Sequence, residues 1–178
     1  MALMKKGYEF CRKVCYHNLY GGAMLVVIAS KNEEKLVREF GYADEPILIT
    51  GVGGVNVIRA LKNVPSDEEI VNIGYAGSNH IAAGSKVVVG KATLLHESVE
   101  YEEEICKTID FEKSDVTCYT STDFVTKTNI QEPCVFDMEL AYICAMFDSV
   151  KSIKLVSDNL DLHEYEKNSA DVVDGTKV

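Results

Sequence analysis

The segment KLVSDNLD, residues 154–161, decides the fold, because it joins a buried strand to a cluster of polar side chains. Apolar residues dominate 152–156 and stop at Ser157, Asp158 and Asn159. Ligands of parallel α/β sheets bind at the carboxyl ends of the strands. A hydroxyl, a carboxylate and an amide at such an end therefore predict a ligand site, provided that the rest of the chain builds such a sheet.

The segments before this one alternate between strand and helix patterns. Short apolar runs predict strands, and amphipathic or longer apolar runs between them predict helices. The predicted strands are residues 24–29, 46–50, 69–73, 85–95 (one strand or two), 115–120, 134–137 and 152–156, and the predicted helices are 30–40, 55–62 and 138–147. This alternation predicts an α/β fold, with a mostly parallel or mixed central sheet flanked by helices on both faces.

Length and charge indicate one acidic globular domain. With 178 residues and 47% hydrophobic side chains, the chain has the size of a single domain, residues 1–178. Its formal net charge of −10 disfavours nucleic acid and anionic membranes as partners, since both would repel it. No stretch approaches the roughly 20 apolar residues of a membrane span, and no apolar signal-peptide core follows the N-terminal lysines.

Residues 1–22 and the cysteines add two expectations. Apolar side chains at helical spacing predict an extra N-terminal helix over residues 1–22. Six cysteines occur, but none forms Cys-x-x-Cys or pairs with a histidine at zinc-ligand spacing, so no metal site is predicted. Buried thiols are typical of a reducing compartment, and the protein is therefore predicted to be cytoplasmic.

Two glycine-rich segments follow predicted strands. They are TGVGGVN (50–56) and NIGYAGS (72–78). Glycine permits tight turns and close approach of the backbone to a ligand. The predicted glycine turns contain Gly51, Gly53, Gly74 and Gly77. The first segment lacks the third glycine of the dinucleotide pattern because Asn56 stands there, so no nucleotide cofactor is predicted.

Acidic residues stand at two further element boundaries. In FDMEL (136–140), Asp137 is suited to cap the following helix, but Glu139 lies in almost wholly apolar company. Asp158 could cap a following helix too, although residues 162–170 are too polar to be a good helix candidate. Glu139 and Asp158 are therefore the candidates for chemistry.

Taken together, these segments resemble the nucleoside phosphorylase and nucleosidase superfamily, most closely the methylthioadenosine/S-adenosylhomocysteine nucleosidases. The likeness covers about residues 24–162. The segments that carry it are SKNEE (30–34), TGVGGVN (50–56), NIGYAGS (72–78), TSTDFV (120–125), FDMEL (136–140) and VSDN (156–159). The resemblance implies cleavage of an N-glycosidic bond in a purine nucleoside without a cofactor, by a homodimer or higher homo-oligomer.

The resemblance also implies roles for individual residues. Asp158 matches the general acid that protonates the purine N7, with Ser157 and Asn159 beside it at the base. Glu139 matches the carboxylate that binds the ribose hydroxyls. Four apolar residues complete the implied site: Met138 and Val52 lie against the sugar, and Phe124 stacks on the base, with Val125 next to it.

A hydrolase of this family also activates a water molecule with a glutamate after the first strand. Two glutamates compete for that role. Ser30 and Glu33 form a capping box, in which the glutamate side chain binds a free backbone N–H at the helix start. Glu33 is thereby assigned to the cap, and Glu34 is the predicted catalytic glutamate.

Departures from the family pattern keep two alternatives open. The first is a phosphorylase, disfavoured because Asn72 and Tyr75, at the implied phosphate site, carry no positive charge, and because the chain has only three arginines. A further departure is Lys154, where the family commonly has an arginine. The second is a non-catalytic nucleoside-binding relative, favoured by the bulky Tyr75 in place of a serine and by a chain shorter than is usual for the family.

Overall fold

The protein is an α/β structure in which nine strands of the described residues form one mixed sheet. In this computed structural model the described residues are 24–95, 104–107 (backbone only) and 114–169. The predicted N-terminal helix, residues 1–22, lies outside them. The described helices are all too short or too polar to cross a bilayer.

The elements follow one another in close to the predicted order. The strands are β1 Leu25–Ile28, β2 Ile47–Ile49, β3 Glu69–Ser78, β4 Lys86–Val88, β5 Lys91–Leu94, β6 Glu104–Lys107, β7 Thr117–Thr120, β8 Cys134–Asp137 and β9 Ser149–Asp158. The helices are α1 Glu34–Glu39, α2 Gly54–Leu61, α3 Leu140–Met146 and α4 Leu162–Ser169, and a 3-10 turn, Lys31–Glu33, precedes α1. The stretch 85–95 is thus two strands, β4 and β5.

Strand β3 is the centre of the sheet. It pairs in parallel with β1 on one side and, along its whole length, with β9 on the other. Beyond the end of β1, the last residues of β3 pair antiparallel with β8, which extends the sheet through β7 and β5 to β6. The carboxyl ends of β1 and β8 consequently lie near each other beside β3, and β3 and β9 end together at Ser78 and Asp158.

Helices cover both faces of the sheet, as predicted. On one face, α2 and α3 pack Val57, Leu61, Leu140 and Ile143 against the alternate residues of the strands. On the other face, α1 buries Leu36 and Val37, and α4 contributes Tyr165. This two-sided burial explains why the central strands are nearly continuous apolar runs.

The predicted end of the third strand and its glycine turn are wrong. Gly74 and Gly77 lie within β3, which continues to Ser78. Because glycine has no side chain, these two positions leave room for two carboxylates. A Cβ at Gly74 would lie 2.8 Å from Glu33 Oε1, and one at Gly77 would lie 3.0 Å from Asp158 Oδ1. By contrast, Gly51 and Gly53 do form the predicted turn, with φ of 87° and 90°.

The expectation that residues 162–170 form a poor helix is also wrong. Helix α4 spans Leu162–Ser169. Its start is capped by Asp161, whose Oδ1 accepts the N–H groups of His163 and Glu164 at 2.8 and 3.0 Å. A good cap and the packing of Tyr165 on the sheet outweigh the polar sequence of this helix.

Candidate active site

Asp158 is the last residue of β9 and pairs with Gly77 across to β3. The side chain is held at both oxygens: Leu160 N–H donates to Oδ1 at 2.9 Å, and Ser157 Oγ donates to Oδ2 at 2.7 Å. Asp158 has no exposed surface, and burial raises the pKa of its carboxyl, although these donors oppose the change. A carboxyl of this kind can hold a proton nearer neutral pH than an exposed aspartate can.

Glu139 lies at the start of α3, opposite the glycine turn after β2. Its Oε1 accepts Gly53 N–H at 2.7 Å, and its Oε2 accepts Met138 N–H at 3.3 Å. Gly53 has φ 90° and ψ 155°, a conformation that is essentially restricted to glycine. Burial, followed by the charge of Asp137, raises the pKa of Glu139 to about 7.

Asp137 does not act mainly as a helix cap, as the sequence suggested. Its Oδ2 binds Lys154 Nζ at 2.7 Å and also accepts Leu140 N–H at 3.0 Å. Its Oδ1 accepts the Thr120 hydroxyl at 2.6 Å. Burial, the largest single effect, would lower the pKa of Lys154, but the nearby negative charges, Asp137 first among them, together with the hydrogen bond to Asp137 outweigh it and raise that pKa. Lys154 therefore stays protonated inside the protein.

The glutamate that faces the site is Glu33. Its Oε2 accepts the N–H groups of Ala29 and Ser30 at 2.6 and 3.0 Å, so the predicted cap exists. Its Oε1, however, accepts Tyr75 N–H at 3.1 Å, on β3. Burial raises the pKa of Glu33, while the backbone donors and the charge of Lys154 oppose that change.

Glu34, the predicted catalytic glutamate, has different surroundings. Its carboxylate lies 3.8 Å from Arg38, one turn along α1, and its side chain remains 31% exposed. The structure therefore brings Glu33, and not Glu34, to the buried charges at the strand ends. The capping-box pattern concealed this because one carboxylate serves both the helix start and β3.

Three of the predicted base and sugar residues line one small cavity. Phe124, Val125 and Met138 surround about 30 Å³ of space, together with Gly77, Asp123, Phe136 and Asp137. Such a cavity has room for about two water molecules. A purine nucleoside is larger than this space and would extend beyond it.

Tyr165 of α4 contacts Phe124, one of the residues that line the cavity. Its ring packs on Phe124, with centroids 5.5 Å apart and planes tilted by 56°. Burial raises the pKa of its phenol, and the negative charges of Glu33, Glu139 and Asp158 add to that increase. Tyr165 is therefore within electrostatic range of all three carboxylates. No sequence signal identified it, because α4 itself was not predicted.

The remaining predicted site residues, Ser157, Asn159 and Val52, do not line this cavity. Ser157 orients Asp158, as described above. Asn159 instead donates its side-chain amide to the carbonyls of Ser78 and Ile81, at 3.2 and 3.0 Å, which ties down the loop after β3. Val52 lies at the glycine turn and is 51% exposed. Among the described residues, no group of three His, Cys, Asp or Glu side chains could hold a metal ion.

Solved nucleosidase structures share this fold. The chain aligns with MTAN from Chlamydia trachomatis at a TM-score of 0.66 and 16% identity, over 82% of this chain and 88% of that one. It aligns with 5′-methylthioadenosine/S-adenosylhomocysteine nucleosidase from S. pneumoniae, solved with a transition-state inhibitor, at a TM-score of 0.59 and 17% identity, over 82% and 88%.

The corresponding nucleosidase from Neisseria meningitidis, in complex with methylthio-immucillin-A, gives a TM-score of 0.60 and 16% identity, over 83% of this chain and 92% of that one. No family model and no curated protein matches the sequence. At these identities the likeness establishes the nucleosidase fold, and function must be argued from the site.

Proposed function

We propose that the protein hydrolyses the N-glycosidic bond of an adenosine-type nucleoside, such as 5′-methylthioadenosine or S-adenosylhomocysteine, to base and sugar. The observation that carries the proposal is the buried Asp158 at the end of β9, a carboxyl whose pKa burial raises, in a site shared with Glu139 and Glu33. The similar structures named above are nucleosidases, two of them holding nucleoside-like inhibitors.

Asp158 is the general acid in this proposal. Cleavage leaves electrons on the purine, and a proton placed on N7 makes the base a better leaving group. The Ser157 hydroxyl suits both states of the acid. It donates to the carboxylate, and it can accept from the protonated carboxyl while turning its own hydrogen to the Ala76 carbonyl, 3.3 Å away.

Glu139 binds the ribose hydroxyls in this proposal. Each of its oxygens has one backbone donor, Gly53 or Met138, and keeps a lone pair for a further donor. An ionised carboxylate accepts two hydroxyl hydrogen bonds at once, which fits a vicinal diol. The same negative charge stabilises the oxocarbenium-like sugar as it forms.

Glu33 activates the water, in place of Glu34. A Cβ at Gly74 would lie 2.8 Å from Glu33 Oε1 and 3.6 Å from Lys154 Nζ, so both groups flank the space above this glycine. A water bound there could give its proton to Glu33 and accept a hydrogen bond from Lys154. The raised pKa of Glu33 suits a general base near neutral pH.

The charges at the site favour water over phosphate as the nucleophile. Lys154, the one buried cation of the described residues, already binds Asp137. Glu33 and Glu139 add negative charge nearby. A phosphate dianion would meet net repulsion there, whereas a neutral water would not. Phosphorolysis therefore remains the less favoured alternative.

We also propose that the protein is a cytoplasmic homodimer or higher homo-oligomer of single-domain chains. Four large apolar side chains around the glycine turn and α2 are 46–71% exposed: Ile49, Val52, Val55 and Ile58. Such a cluster beside a predicted sugar-binding residue suits burial against a second copy. The buried free thiols of Cys118, Cys134 and Cys144 fit a reducing compartment.

Release of adenine from 5′-methylthioadenosine tests the function. The wild-type protein should release adenine and the Asp158→Asn protein should release it about 10²–10⁴-fold more slowly, because the amide cannot donate an acidic proton. Nucleoside binding by calorimetry without any adenine release would favour the non-catalytic alternative. Equal rates for the two folded proteins would remove Asp158 from the mechanism.

A further inference from the structure

Leu160 has a backbone conformation that leucine ordinarily avoids. Its φ is 63°, and it is the one non-glycine residue with positive φ among those that the structure describes. A side chain with a Cβ is disfavoured there because the Cβ approaches the following carbonyl oxygen. Bulky residues keep such a conformation only where their surroundings enforce it, and these places cluster at functional sites.

The surroundings of Leu160 show what enforces it. Its side chain packs against a cluster formed by Tyr119, Cys134 and Phe136. Its Cδ2 also lies over Gly77, where an added Cβ would be 3.3 Å away. This packing anchors a residue that is two positions beyond the candidate general acid.

The same glycine brings the Leu160 side chain and Asp158 together. A Cβ at Gly77 would lie 3.0 Å from Asp158 Oδ1, so the carboxylate and the leucine share the open face of one residue. The left-handed turn then directs Leu160 N–H to Oδ1 at 2.9 Å. With Ser157 on Oδ2, the plane of the carboxyl group is fixed from both sides.

We propose that Leu160 is a positioning residue for Asp158: the packing of its side chain over Gly77 holds the left-handed turn that aims its N–H at Oδ1. A carboxyl group held in one plane presents its proton in one direction, which delivery of that proton to the base requires. The catalytic consequence rests on the proposed function, but the positioning itself does not. Other groups acting on Asp158 are the Asp161 N–H and the charge of Glu164, both from the α4 segment.

Three substitutions separate side-chain packing from backbone preference. Leu160→Ala removes the packing and keeps the penalty on positive φ. Leu160→Gly removes both the packing and the penalty. Leu160→Met keeps an apolar side chain of similar volume. Leu162→Ala is the matched control, because Leu162 is 47% exposed at the start of α4.

The first readout needs no activity: the pKa of Asp158 from a ¹³C-carboxyl NMR titration, with Asp158→Asn identifying the signal. A weakened N–H bond to the charged form raises the pKa of that carboxyl. The Ala and Gly proteins should therefore show a higher Asp158 pKa than the wild type, while the Met and Leu162→Ala proteins should match the wild type. An unchanged pKa in the folded Ala and Gly proteins would overturn the proposal.

The second readout is turnover of 5′-methylthioadenosine. Misplacing the acid should lower kcat about tenfold or more in the Ala and Gly proteins, with KM little changed, and Met should restore kcat. A raised KM with unchanged kcat would overturn the positioning role. If the wild type cleaves no nucleoside, the proposed function fails, and the NMR titration still decides the role of Leu160.

Discussion

Glu139 should make the protein less stable as the pH rises through neutrality. Its pKa is 4.5 in an unfolded chain and about 7 in the folded protein, because burial and the Asp137 charge disfavour ionisation. Below pH 4.5 the group is protonated in both states. Between these values only the folded state holds the proton, so stability falls with increasing pH, and the loss is complete above about pH 7.

The difference of about 2.5 pKa units corresponds to about 3 kcal/mol, of which about 2.5 kcal/mol falls between pH 5 and pH 8. Glu139→Gln removes the titration and keeps a carbonyl oxygen for Gly53 N–H. Urea unfolding of both proteins at several pH values measures the effect, since every other titrating group is common to the pair. The free energy of unfolding of the wild type, relative to that of Glu139→Gln, should fall by about 2.5 kcal/mol between pH 5 and pH 8.

A constant difference between the two proteins from pH 5 to pH 8 would refute this reasoning, because it would mean that Glu139 titrates alike in both states. A ligand adds a second check. Only the ionised carboxylate accepts hydrogen bonds from both ribose hydroxyls, so nucleoside affinity should weaken as the pH falls below about 7. The affinity for free adenine should not follow this curve.

Three further predictions concern the other charged groups. Glu33→Gln should lower turnover by about 10²-fold or more without abolishing nucleoside binding, whereas the matched Glu34→Gln should leave turnover unchanged; the reverse ranking in steady-state kinetics would restore the original assignment. Lys154→Met should cost about 3–5 kcal/mol in urea unfolding, because Asp137 is left buried and unpaired, and adding Asp137→Asn should recover part of that loss. Asp158→Asn should keep the wild-type melting temperature to within a few degrees or exceed it, and a collapse of the fold would show that Asp158 is structural.

Periodicity and strand-end chemistry were sufficient to predict the sheet, and they identified Asp158 and Glu139 but not Glu33 as carboxylates of the candidate site. Asp158 and Glu139 follow strands directly, so the rule that ligands bind at strand ends locates them from local sequence. The apolar helix after Glu139 and the glycine turn that faces it are likewise local patterns. These residues could therefore be identified without knowing which strands pair.

The wrong or missing predictions concern residues whose role depends on a contact with a residue far away in the sequence. Glu33 bonds to Tyr75, 42 positions away, and no pattern around residue 33 shows that contact. Gly74 and Gly77 were read as a turn because glycine is typical of turns, yet they lie in a strand and accommodate Glu33 and Asp158. Lys154 and Asp137, 17 positions apart, are a pair that only the β8 and β9 placement reveals.

Helix α4 was missed for a different reason. Its sequence is polar, and its stability depends on the Asp161 cap and on the packing of Tyr165 against the sheet and Phe124. Single-sequence propensity does not include such packing. The missed helix supplies Tyr165, which packs on the cavity residue Phe124, so this contact was missed along with it.

The most direct test of the central claim is the identity of the sugar released from 5′-methylthioadenosine in a buffer containing inorganic phosphate. Mass spectrometry of the reaction should show adenine and free 5-methylthioribose in equal amounts, at a rate that does not depend on phosphate. The 1-phosphate of that sugar, or a reaction that requires phosphate, would contradict hydrolysis, and the absence of any adenine would contradict the proposed activity altogether.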